Sequence, residues 1–355
     1  MMERRDERDA GDMVGRKRLR LSSDEGSDLF DSLPDDIVLL VLAKLSSSAR
    51  SPRDFINVLS TCTRLNRLAL QPAVLKEAGT NTVAVRAKNW SDSAHRFLKQ
   101  CVRAGSTEAT YFLGMIRFYC MEGRKFGAAL IAKAAIRNHV PALYSLAIMQ
   151  FNGSGGDKSS KDLLAGCALC ARAGDLGHID SIRELGYCYQ DGYGVPRNLK
   201  GARSLLTRAA AMEVACCVRA SSEDVIRKCE TRLDAIMSFK TVPGANPGLG
   251  HAYWAGSGLQ FSPRETHPAN RFLLEWFAIQ ADSGSDPGRV GGVKLCSDLN
   301  CGRSETRENE FRRCSGCANV RYCSRGCQAH DWKVRHKFEC SPMPQLVHHA
   351  VDEGF

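Results

Sequence analysis

No window of this 355-residue chain approaches the twenty or so consecutive apolar residues that a membrane span needs. Its opening, "MMERRDERDAGDMVGRKRLR", is charged where a secretory leader would be apolar. The expectation is therefore a soluble, intracellular protein with no membrane partner. Residues 1–29 hold almost nothing that could build a core and read as a disordered tail. Within that tail "RKRLR", Arg16 to Arg20, is compatible with nuclear import, so nucleus, cytoplasm or both are the expected locations. Before residue 296 the cysteines do not cluster: Cys62, Cys101, Cys120, Cys167, Cys170, Cys188, Cys216, Cys217 and Cys229 are scattered, most of them in apolar helical patterns where a free thiol serves as a small hydrophobe. Cys167 and Cys170 have CxxC spacing, but at i, i+3 on a helix they read as core. A long chain without an export signal belongs in a reducing compartment, which argues against a disulfide framework.

What is present is the apolar and charged balance of an ordinary globular protein, long enough for two or three domains. At "LPDDIVLLVLAKL" Ser32 is placed to cap a helix, with Pro34 in its first turn and Asp35 and Asp36 suiting its positive end. The apolar residues from Ile37 to Leu45 wrap most of the way round, so this helix must be covered on more than one side. Two more short apolar-periodic segments follow, giving a small core with apolar surface left over. Residues 30–76 resemble an F-box. Leu33 and Pro34 match its opening pair, Ile37, Val41, Leu42 and Leu45 its first-helix contacts, and Leu59, Cys62 and Leu65 the apolar positions of the later helices. The resemblance implies binding to the Skp-type adaptor of a cullin-RING ubiquitin ligase through these residues.

Residues 83–240 read as a helical repeat region. In "EATYFLGMIRFYCMEG", "PALYSLAIMQFNGSG" and "DSIRELGYCYQDGYG", Leu113, Leu146 and Leu185 coincide, each followed by a small residue: Gly114, Ala147 or Gly186. Each unit leads into a second, alanine-rich helix, the pattern of an antiparallel helix-pair solenoid. The units resemble Sel-like repeats, relatives of the tetratricopeptide repeat, with Glu184 to Ala210 matching best through its G-x-G turn at Gly192 and Gly194. That resemblance implies a concave surface for protein partners. A further helix is expected from Ser222 to Met237. Residues 241–293 read as a Gly/Pro-rich linker interrupted by "RFLLEWFAIQ", whose Trp276 and Phe277 are expected to dock on the solenoid.

Four donor pairs then follow within forty-five residues: Cys296 with Cys301, Cys314 with Cys317, Cys323 with Cys327, and His336 with Cys340. Thiolate and imidazole are the donors zinc prefers, and eight of them suit two tetrahedral ions. The order resembles the MYND zinc finger, spanning residues 294–340 with a tail at 341–355. By that resemblance the pairs interleave: Cys296, Cys301, Cys323 and Cys327 hold one zinc, and Cys314, Cys317, His336 and Cys340 the other. Four residues separate Cys296 from Cys301 where two is commoner. The family further implies a groove for proline-containing peptides lined by Gln328 and Trp332, and leaves His330 as a surface residue.

With every donor used, no coordination position stays open for an activated water, so the zincs are expected to be structural and the chain non-catalytic. The formal charge of +10 is no nucleic-acid footprint in this module. There, ten Lys/Arg face six Asp/Glu, and two ions on seven thiolates bring the balance to about +1. The fold class expected is mainly α: a three-helix F-box, an α-solenoid and a small cross-braced two-zinc module. The three-part order resembles plant F-box proteins and implies a substrate receptor of a Skp-cullin-F-box ligase whose client binds the repeats, the finger or both. The alternative is a nuclear transcriptional adaptor acting through the finger. A lysine methyltransferase would need SET strands and signatures that the chain lacks.

Overall fold

A computed structural model describes residues 32–121, 123–220, 266–282, 289–290 and 293–341. The basic cluster at Arg16 to Arg20, the helix expected from Ser222 to Met237 and the tail beyond Ser341 lie outside the described residues. No helix among those described is long and apolar enough to cross a membrane.

The chain opens with four short helices: α1 (Asp35–Ser48), α2 (Pro52–Leu59), α3 (Thr63–Ala69) and α4 (Pro72–Lys76). Pro34 itself is the N-cap of α1, and its carbonyl accepts from Ile37 and Val38. The helix thus starts later than a cap at Ser32 would place it. Pro34 cannot donate a backbone N–H, and Asp35 and Asp36 fill the first turn as the helix dipole favours. Arg64 on α3 reaches back to the Leu33 carbonyl and to Asp35, fixing the entry to α1. The thiol of Cys62 caps α3 by accepting from Leu65 N at 3.4 Å.

Three helix pairs follow a lead-in helix α5 (Asp92–Ala104): α6 (Thr107–Tyr119) with α7 (Arg124–Ile136), α8 (Val140–Asn152) with α9 (Leu163–Asp175), and α10 (Ile179–Asp191) with α11 (Leu199–Ala220). The small residue after each repeat leucine sets how closely a pair packs. A Cβ on Gly114 would lie 2.9 Å from Ile131 of α7, and one on Gly186 would lie 2.9 Å from Leu206 of α11. The G-x-G turn places both Gly192 and Gly194 at positive φ, the conformation that glycine adopts without a steric cost.

Residues 268–282, inside the stretch read as a linker, form a 15-residue helix, α12 (Pro268–Asp282). It packs along α6 with Phe272, Leu273 and Phe277 buried, and Phe272 meets Phe112 and Trp90 edge-on. One continuous core runs from Val38, Leu42 and Phe55 through Leu98, Phe112 and Met115 to Phe272. The opening helices are therefore fused to the solenoid rather than tethered to it.

Two minimal hairpins carry the cysteine-rich end. β1 (Arg289–Val290) pairs with β2 (Val293–Lys294), and β3 (Arg312–Arg313) pairs with β4 (Arg321–Tyr322). Helix α13 (Arg325–Asp331) then runs through a π-turn at Trp332–His336 into a last turn at Lys337–Glu339. This module packs on α8 and α10. A second core joins Tyr144, Ile148, Phe151, Leu185 and Cys188 of the repeats to Phe311, Tyr322 and the first cysteine set. The first helix of each pair is thus covered on both sides, by its partner helix and by the returning C-terminal segments. Cys167 and Cys170 are buried in the same region as core thiols.

Candidate metal centre

The ligand-bearing backbone is shaped by short local rules. Ser324 caps α13 by accepting from Cys327 N at 3.0 Å, so Cys323 before the cap and Cys327 in the first turn face one point. Cys296 N bonds to the Arg303 carbonyl at 2.8 Å, closing the loop that returns Cys301 to Cys296. The donor atoms of Cys296, Cys301, Cys323 and Cys327 all lie within 4.8 Å of one another, and so do those of Cys314, Cys317, His336 and Cys340. Sequence pairs one and three meet, and pairs two and four meet.

The spacings suit a tetrahedral ion. Zinc–sulfur bonds of about 2.3 Å place sulfurs about 3.8 Å apart, and a sulfur and an imidazole nitrogen about 3.6 Å apart. Cys301 and Cys323 stand at 3.5 Å, Cys323 and Cys327 at 3.6 Å, Cys314 and Cys340 at 3.9 Å, and Cys317 Sγ lies 3.5 Å from His336 Nε2. Burial pushes the Cys296 thiol well up, whereas donation from Cys296, Cys323 and Cys327 pulls Cys301 well down. Four buried thiols cannot all ionise unaided; a bound divalent cation removes that conflict.

Around the second site, Tyr322 donates to Asp331 at 2.7 Å and Arg335 ties Asp331 to the Ser297 carbonyl. Trp332 lies edge-on to His336 at 5.7 Å. Gln328 and Trp332 are each half-buried, so both retain an open edge. His330 is not the surface residue the sequence reading makes it. Its Nδ1 meets buried Asp298 Oδ1 at 2.9 Å, and that carboxylate also accepts from Asn300 N.

A third grouping, Glu108, His139 and His267, also lies within 4.8 Å. Here the chemistry is different. Nδ1 of each ring accepts a backbone N–H, from Ala142 and from Ala269, so Nε2 carries the proton toward Glu108. A metal at Nε2 would need the opposite tautomer on both rings.

Residues absent from the sequence reading hold the module on the repeats. Glu184 of α10 accepts from both Arg325 N and Gly326 N, at 3.0 and 3.2 Å. Burial raises its pKa, against the opposing pull of Arg325 and the Gly326 N–H. Asn152 donates to the Cys323 carbonyl at 2.8 Å, Tyr144 donates to Ser324 at 3.1 Å, and Arg303 donates to Ser145 at 2.8 Å. Lys333 and Arg183 both grip Glu213 of α11; burial alone would raise that carboxyl, and the two cations outweigh it and hold it below its ordinary range. The one sequence signal for this contact was polar residues, Asp180, Arg183 and Glu184, standing where a repeat helix is otherwise apolar.

At the other end of the molecule, Ile37, Leu40 and Val41 project from α1 with 44, 67 and 47 % exposure. Leu33, Leu45, Leu59 and Leu65 are half-buried, and Pro34 and Cys62 are exposed. Leu42 departs from the expected contact set: at 2 % exposure it faces the core. Leu40, one turn from Ile37, takes its place on the open strip.

Family profiles match the chain in three places: plant tetratrico peptide repeats over residues 81–179, a Sel1 repeat over 179–214 and a MYND finger over 296–340. F-box protein At1g67340 of Arabidopsis thaliana is 53 % identical over 325 residues, which is 91 % of this chain and 83 % of that protein. F-box protein At5g50450 of the same plant is 49 % identical over 344 residues, 95 % of this chain and 94 % of the relative. The chain belongs to this family of F-box proteins. Among solved structures, a Sel1 repeat protein from Oxalobacter formigenes is 23 % identical, covers 36 % of this F-box protein and 95 % of its own chain, and has a TM-score of 0.31. The repeats, the finger and the cysteine clusters make this F-box protein a mainly helical protein-interaction adaptor with a zinc-binding module.

Proposed function

We propose that the chain is a non-catalytic substrate receptor of a Skp-cullin-F-box ubiquitin ligase, active in the nucleus, the cytoplasm or both. The observation that carries this reading is the exposed apolar strip of Ile37, Leu40 and Val41 on a helix whose opposite side is locked into the solenoid core. A Skp-type adaptor docked there would bury the strip, and we assign Leu33, Pro34, Leu45, Leu59, Cys62 and Leu65 to the same interface. We assign residues 30–76 to the F-box, 83–240 to the repeats and 294–340 to the finger.

The two donor sets each hold one zinc, two per chain. The ions fix the shape of the finger and perform no reaction, since each set supplies four protein ligands. The faces of α8 and α10 that meet the finger are already covered, so the client binds at the open faces of the second repeat helices, at the open edge of the finger around Gln328 and Trp332, or both, with a proline-containing peptide as the fitting class of ligand for the finger. Co-purification with the Skp-type adaptor tests the central claim. Wild-type protein that never co-purifies removes it, and zinc content clearly below two per chain removes the ligand assignment.

A further inference from the structure

The two donor sets differ in what surrounds them. Ligand residues of the second set bond within the finger: Cys314 N to the Val320 carbonyl, Cys340 N to the His336 carbonyl, Ala318 N to the Cys314 carbonyl. The first set is clasped by the repeats. The turn from Cys323 to Cys327 meets Asn152 at the Cys323 carbonyl, Tyr144 at Ser324, and Glu184 at two successive N–H groups. The approach is close enough that a Cβ on Gly326 would stand 2.7 Å from the Tyr144 hydroxyl. Against the same site, Arg303 is buried at 4 % exposure and divides its donors between Cys301 Sγ, at 3.5 Å, and Ser145 Oγ, at 2.8 Å. Neither acceptor is a carboxylate. A divalent ion on four thiolates carries a net charge of −2, which supplies the counter-charge that this buried guanidinium needs.

We infer that the repeat solenoid is part of the first metal site: Asn152 and Glu184 hold the turn from Cys323 to Cys327, and the Arg303–Ser145 pair holds Cys301, in their metal-binding shape, so that zinc binding at this site and docking of the finger on α8 and α10 are one coupled event. The inference rests on the reading of the eight donors as two zinc sites. Coupling of this kind is reciprocal: whatever loosens the dock weakens the first ion, and loss of the first ion loosens the dock. The second ion stands outside the coupling to α8 and α10; the segment that carries His336 is tied instead to α11, through Lys333 and Glu213.

The test uses the full chain and two solenoid variants that remove no donor atom from either metal set, Asn152→Ala and Glu184→Gln. Zinc release is titrated with a graded chelator while thiol alkylation, read by mass spectrometry, reports which cysteines have been freed. The expected result is alkylation of Cys323 and Cys327 at about a tenfold lower chelator concentration than in wild type, the scale seen when residues that orient ligands are removed, with Cys314 and Cys317 unmoved. Hydrogen exchange supplies a second readout. Cys323→Ser is expected to expose the amides of α8 and α10, and Cys317→Ser to leave them protected. Two zincs per chain with wild-type release from both variants overturns the coupling alone. Wild type holding fewer than two overturns the zinc assignment beneath it.

Discussion

Leu40 and Leu42 stand two residues apart on one helix and belong to different surfaces, 67 % exposed against 2 %. The helical period turns the first outward with Ile37 and Val41 and drives the second into the core beside Val38 and Phe55. Substitutions there should separate binding from folding. Leu40→Asp with Val41→Asp is expected to abolish co-purification with a Skp-type adaptor while shifting stability by less than about 0.5 kcal/mol, the range for exposed positions. Leu42→Ala is expected to cost about 2–5 kcal/mol through the cavity it leaves, read as a lowered thermal midpoint.

Metal removal should act on the finger first. Zinc analysis of the purified chain is expected to return close to two ions. Chelation should expose Phe311 and Tyr322, buried between the finger and the repeats, and so raise binding of a hydrophobic dye. A chelated protein with an unchanged thermal midpoint and unchanged dye binding would contradict a structural role for the ions.

Gly302 packs with no room for a side chain. Its φ is +70°, and a Cβ would lie 2.8 Å from the Asn270 carbonyl oxygen and 2.9 Å from Leu274 N on α12. Backbone atoms cannot swing aside as a side-chain tip can, so Gly302→Ala is expected to cost about 1–3 kcal/mol. Denaturant unfolding measures it, and a cost near zero would show that the loop and α12 separate freely.

Acid should loosen the join between α12 and α6. Burial pushes the His267 pKa down to about 4, with Glu108 opposing and His139, Arg303 and Arg271 reinforcing the shift. The folded protein keeps this ring neutral while the unfolded chain protonates it near 6.5. Stability from this group is therefore full above about pH 6.5 and declines as pH falls toward 4, by on the order of 3 kcal/mol. Glu108, held below its ordinary range despite burial by its hydrogen bond with His139, loses stabilisation in the same direction. Because acid also protonates zinc ligands, the measurement is a comparison: His267→Gln should flatten the pH dependence of the thermal midpoint between pH 4 and 6.5 relative to wild type.

The helix pairs and the four donor pairs were legible because each is a local pattern: a leucine followed by a small residue, a cysteine three to five positions from the next cysteine or histidine. Cross-bracing needed the family resemblance, and the same eight residues converge in space. What stayed hidden spans distance. Asn152 and the Cys323 carbonyl are separated by 171 positions, and Glu184 and Gly326 by 142. Such hydrogen bonds impose no period on the sequence. The apolar stretch of α12 and its docking were legible, but the helix's start at Pro268 was masked by the Gly/Pro texture before it. His330 read as surface because its partner, Asp298, sits 32 residues upstream.

The double covering of α8 also sets an order of events at the ribosome. Tyr144, Ser145 and Asn152 emerge well before Cys340, and at synthesis rates of about 5–20 residues per second the interval is roughly 10–40 s. Throughout it the repeat helices stand without their second cover, and under the coupling proposed above that cover docks only once metal has been loaded. Under that coupling, supply of zinc to the emerging chain sets how long half of the second core is left open to the wrong neighbours.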